Sequence, residues 1–80
     1  MQEKISALNL VFTFDTTTQA MAMERFCREH NFPGKLIPIP NQLSAGCGLA
    51  WKTMPEQKET ILTQMKAEGI GWADCQLIQL

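Results

Sequence analysis

The sequence predicts an α+β fold, and three observations carry the prediction. Residues 7 to 14, A-L-N-L-V-F-T-F, alternate between two faces, which is the period of a strand. Residues 17 to 30 place Ala20, Met23, Phe26, Cys27 and His30 on one stripe at helical spacing. The chain then supplies two strand patterns, a second helix pattern and a last strand, so the order is β-α-β-β-α-β.

Each element follows from its residues. In the first strand Leu8, Leu10, Phe12 and Phe14 share one face, and Ala7, Asn9, Val11 and Thr13 share the other. Asp15 and the threonines behind it offer side-chain oxygens to the first free N–H groups of the helix, as an N-cap requires. Asn31-Phe32-Pro33-Gly34 ends that helix and turns the chain. The next stretch, K-L-I-P-I-P at 35 to 40, reads as a strand with two prolines. Pro38 and Pro40 lie two apart, so they remove donors from one side only, and such a strand belongs at a sheet edge.

A loop, N-Q-L-S-A-G-C, leads into G-L-A-W-K-T-M, a third strand with Leu49, Trp51 and Thr53 on one face. Thr53 and Glu56 have the spacing of a capping box, and Pro55 suits a first helical turn. Residues 55 to 68 then read as a helix with Ile61, Leu62 and Met65 inward, closed by Gly69. Residues 72 to 80, W-A-D-C-Q-L-I-Q-L, read as the last strand. This succession is the split βαβ, or ferredoxin-like, pattern: a four-stranded antiparallel sheet with two helices on one face. Two right-handed crossovers put strands one and three in the centre and strands two and four at the edges. The proline-bearing strand thus falls where its prolines already place it.

At 80 residues the chain has the length of a single domain, 1–80, with a modest core. Its net charge is −1 and its seven basic residues are scattered, so it offers no electrostatic footprint for nucleic acid or an anionic membrane. Its longest apolar run is far short of a membrane span, and its first residues lack the pattern of a signal peptide. The expected location is the cytoplasm.

The three cysteines, Cys27, Cys47 and Cys75, are odd in number, which argues against a closed disulfide framework. They lie 20 and 28 residues apart, and the single histidine is His30. No close pair seeds a zinc site, so no metal and no cofactor is expected. Nothing resembles a Ser-His-Asp set, a phosphate-binding glycine loop or a paired-carboxylate site. Cys27 falls on the apolar stripe of the first helix and Cys75 in mid-strand beside Leu77, both structural positions by type. Trp51 and Trp72 are of a kind usually found in cores, and His30 ends its helix where the dipole favours a cation.

Cys47 is different. It stands in S-A-G-C-G, between Gly46 and Gly48, just after the Pro-x-Pro stretch. Flanking glycines let the backbone take positive φ and let a ligand approach closely. Successive N–H groups of Ala45, Gly46 and Gly48 in such a turn can converge on an anion, and the Ser44 hydroxyl can donate to it or to the sulfur. Donors around a thiol favour the thiolate, which is the nucleophile. The expected site is therefore an exposed Cys47 sulfur with Ser44, Ala45, Gly46 and Gly48 as its binding surround. The bland alternative is a tight connection whose cysteine is incidental.

The segments T-F-D-T-T-T-Q-A-M-A-M-E, L-I-P-I-P and L-S-A-G-C-G-L-A make the chain resemble the selenium/sulfur carrier-like family of small bacterial domains. The likeness extends over essentially the whole chain, and Pro-x-Pro, a short spacer, then Ser-x-x-Cys-Gly is its most specific part. Where many relatives carry a basic residue after the second proline, this chain has Asn41. The resemblance implies a carrier more than a catalyst: Cys47 accepts a sulfane sulfur or selenium, as a persulfide or perselenide, and passes it on. It also implies protein partners, a cysteine desulfurase-like donor and an acceptor enzyme. Two other readings stand beside it. One is a non-catalytic ligand- or protein-binding module whose free edge and open sheet face suit a homodimer. The other is a thiol-redox protein pairing Cys47 with Cys75.

Overall fold

The computed structural model describes residues 8–43 and 46–79. The alternating segment forms β1 (Leu8–Thr13), and the helical stripe forms α1 (Thr17–His30). They are followed by β2 (Lys35–Pro38), β3 (Leu49–Thr53), a single 3-10 turn (Pro55–Gln57), α2 (Lys58–Glu68) and β4 (Asp74–Gln79). The strands make one sheet in the order β2-β3-β1-β4, with every neighbouring pair antiparallel. This is the ferredoxin-like arrangement, with β1 and β3 central.

The register explains the core. Phe12 lies between Trp51 on β3 and Cys75 on β4, and Leu10 lies between Thr53 and Leu77. Leu10, Phe12, Phe14 and Trp51 join Ala20, Met23, Phe26 and Cys27 of α1 and Ile61 and Met65 of α2 in one buried cluster. Both helices therefore cover the same face. A fully buried side chain of this size stabilises by about 1.5–3 kcal/mol, against about 1 kcal/mol net for a typical hydrogen bond, so packing decides the topology. On the other face, Val11, Thr13 and Ala50 are also buried, with Lys52 and Gln76 in register on either side of Val11.

The helix ends are made locally. Thr16 is the N-cap of α1: its hydroxyl oxygen accepts from the Gln19 N–H at 3.1 Å, and the Gln19 side chain accepts from the Asp15 N–H at 2.9 Å. At the other end Asn31 is left-handed (φ 60°), while the Phe32 N–H donates to the Cys27 carbonyl and the Asn31 N–H to the Arg28 carbonyl. That pair of bonds is a Schellman motif. Gly69 (φ 74°) closes α2, again left-handed, with its own N–H and the Ile70 N–H both on the Met65 carbonyl. His30 Nε2 and Glu68 Oε2, 2.6 Å apart, tie the two helix ends together, so the end of α1 has a carboxylate partner as well as the dipole.

Three details depart from the sequence reading. The capping box at Thr53 does not form. Thr53 is the last, buried residue of β3, and its hydroxyl donates to the Pro33 carbonyl at 2.7 Å. Residues 55 to 57 are consequently a 3-10 turn with no side-chain cap, and the α-helix proper starts at Lys58. Lastly, β2 ends at Pro38 and β4 starts at Asp74, so both are shorter than their sequence patterns. Beyond β2 the Ile39 N–H still donates to the Gly48 carbonyl at 2.9 Å. Strand alternation then turns the nitrogens of Pro38 and Pro40 outward, as the edge argument requires. No helix among the described residues is long and apolar enough to cross a membrane.

Candidate functional site

The loop that carries Cys47 is held against the junction of β1 and α1. Gly46 has no room for a side chain, because a Cβ there would lie 2.6 Å from the Asp15 carbonyl oxygen. Close approach of backbone to backbone, not positive φ, is what Gly46 supplies. Gly48 does the opposite. Its φ is +75° and a Cβ there would meet nothing within 4 Å, so it turns the chain beside open space. The two glycines around Cys47 thus do different work: one docks the loop, the other aims it into β3.

The turn at Gly48 brings the backbone of Leu49 to the sulfur. The Leu49 N–H donates to Cys47 Sγ at 3.4 Å, and the thiol faces the Leu49 carbonyl at 3.6 Å. Among the described residues, the Leu49 N–H is a backbone donor given to the sulfur itself. Cys47 is also half-buried, with its side chain packed against the core cluster, rather than fully exposed. The reason is the docking of Gly46 on Asp15, which pulls the loop inward. Ser44 and Ala45, two of the residues assigned to the surround, lie outside the described residues.

The other thiols are placed differently. Cys27 is fully buried in α1, and burial pushes its thiol up to about 12. Cys75 is half-buried on β4; burial raises its thiol most, the Lys58 ammonium opposes that, and Asp74 adds to it. Cys75 and Trp51 flank Phe12, so they are two strand spacings apart, roughly 9–10 Å. Gly46 abuts Asp15, three residues farther along the chain than Phe12. Cys47 thus follows a residue docked beside Asp15, whereas Cys75 stands on β4 opposite Phe12.

Among the described residues no three of His, Cys, Asp and Glu gather as metal ligands would. Asp15 and Leu49 are the parts of the site that sequence reasoning missed. Both act through backbone atoms, and side-chain chemistry gives no sign of them.

A family model described as "Putative Se/S carrier protein-like" matches residues 9–75. No curated protein and no solved structure matches the chain.

Proposed function

The chain belongs to the Se/S carrier protein-like family, and from that premise we propose that Cys47 is the atom that carries the cargo. The Cys47 thiolate attacks the outer sulfur of a donor's persulfide. The donor's S–S bond breaks, its electron pair leaves with the donor thiolate, and Cys47 becomes a persulfide. Selenium follows the same step. Membership implies protein partners in transfer. In this reading a cysteine desulfurase-like enzyme is the donor, a sulfur- or selenium-handling enzyme is the acceptor, and both work in the reducing cytoplasm, where the thiol stays free.

The observation that supports this best is the contrast among the three cysteines. Cys27 is sealed in the core and Cys75 is built into a strand, while Cys47 alone stands on a loop turned by Gly48 beside open space. The test is intact mass after incubation with a cysteine desulfurase and cysteine, for wild type and Cys47→Ala. A gain of one sulfur atom, removed by reductant and absent from the variant, is the expected result. No gain, with Cys47 still open to alkylation, turns the reading to a ligand-binding loop.

A further inference from the structure

A carrier of this kind faces a chemical problem. A persulfide has two sulfurs that a nucleophile can attack. Attack on the outer atom transfers it: RS⁻ + Cys–Sγ–SH gives RS–SH and Cys–Sγ⁻. Attack on the inner atom wastes it: RS⁻ + Cys–Sγ–SH gives Cys–Sγ–SR and HS⁻. Both reactions are balanced and redox-neutral overall. The second is intrinsically easier, because the leaving group of the stronger acid leaves faster and hydrogen sulfide is a stronger acid than an alkyl thiol. An unshielded persulfide therefore sheds sulfide.

The surroundings of Cys47 bear on this choice. The sulfur is half-buried, packed against the core, with the Leu49 nitrogen at 3.4 Å and the Leu49 oxygen at 3.6 Å. The side taken by the Leu49 backbone and the core leaves no place for an added atom. Substitution at sulfur proceeds in line with the bond that breaks. The line through Sγ opposite an outward-pointing atom therefore runs into the Leu49 backbone and the core.

Resting on the carrier reading above, we propose that the Leu49 backbone shields the inner sulfur, so that thiol acceptors take the outer atom and none is lost as sulfide. The S–S electron pair returns to Cys47 Sγ, beside the N–H that already donates to it. Leu49 is in this sense a positioning residue, acting through its main chain. The acceptor class follows: a thiolate, or another soft nucleophile, presented from the solvent side.

The experiment loads the full chain at Cys47 with inorganic polysulfide, then adds N-acetylcysteine. Two product pairs are quantified: sulfane sulfur on the small thiol with free Cys47, and free sulfide with the Cys47 mixed disulfide. The reference is the unfolded peptide S-A-G-C-G-L-A loaded in the same way. The folded chain is expected to favour outer transfer over release by at least about ten-fold more than the peptide does. Equal ratios, or a dominant mixed disulfide, overturn the proposal. A chain that takes up no sulfur counts against the carrier reading. The shielding is then read on the Cys47 adduct of an aryl disulfide, where inner attack releases a coloured thiolate. Release from the folded chain slower than from the peptide by a similar factor upholds the shield, and equal release overturns it.

Discussion

Gly46 and the Asp15 carbonyl are in direct backbone contact: a Cβ on Gly46 would lie 2.6 Å from that oxygen. This contact joins the loop of Cys47 to the start of α1, and it is why a cysteine between two glycines ends up half-buried. Gly46→Ala should therefore move the loop. The expected cost is about 1–3 kcal/mol of stability, the range for forcing strain at a packed position. Cys47 should also alkylate faster than in wild type. Denaturant midpoints and alkylation rates measure both, and an alanine variant unchanged in each would contradict the contact.

The hydroxyl of Thr53 holds the turn after α1 through the Pro33 carbonyl, 20 residues away in sequence. Thr53→Val keeps the shape and the β-branch but leaves that carbonyl without its partner. A loss of about 1–3 kcal/mol is expected, as for a buried acceptor stripped of its donor. Thr53→Ser should recover most of it. If valine is as stable as threonine, the bond contributes nothing net.

The thiols should differ in what they tolerate. Cys27→Ser puts a hydroxyl into a fully buried apolar site and should cost about 1–3 kcal/mol. Cys47→Ala removes a half-buried sulfur at the rim of the core and should cost less than about 1 kcal/mol. Thermal unfolding of both variants checks the order, and the reverse ranking would displace Cys47 from the loop position described above.

Acid should weaken the fold through two carboxylates. Glu68 is held below the ordinary carboxylate range by the Gln64 side chain and by His30, and Asp74 by the Gln76 side chain and the Cys75 N–H. A carboxyl lowered in the folded state stabilises above its unfolded value and loses that contribution as the pH falls through its folded value. The window therefore lies below about pH 5, given ordinary Glu and Asp values near 4. The double variant Glu68→Gln, Asp74→Asn should show a shallower fall in stability from about pH 5 to pH 3 than wild type. Parallel curves would mean that these groups are not the ones being titrated.

Where the sequence could be read and where it could not follows the range of the interactions. The alternation of Leu8 to Phe14, the stripe from Ala20 to His30 and the prolines at 38 and 40 are local patterns, and each reports its own element. Their consistency with one topology was enough to order the sheet. Thr53 was misread because a polar residue before Pro55 and Glu56 satisfies a capping pattern and a strand end equally well. Only the folded neighbour, Pro33, decides between them. The same limit applies to Cys47: its glycine neighbours mark the loop, but the contact that half-buries it is made with Asp15, 31 residues before Gly46.

The outward nitrogens of Pro38 and Pro40 have a consequence for assembly. The β2 margin has lost donors that an incoming strand would need, while β4, Asp74–Gln79, contains no proline at all. Growth of a fibre by strand addition requires two receptive margins, so that each newcomer offers a fresh one. The two margins of the sheet are therefore unequal: the one that ends in Pro38 offers an incoming strand fewer donors than the one formed by Asp74–Gln79.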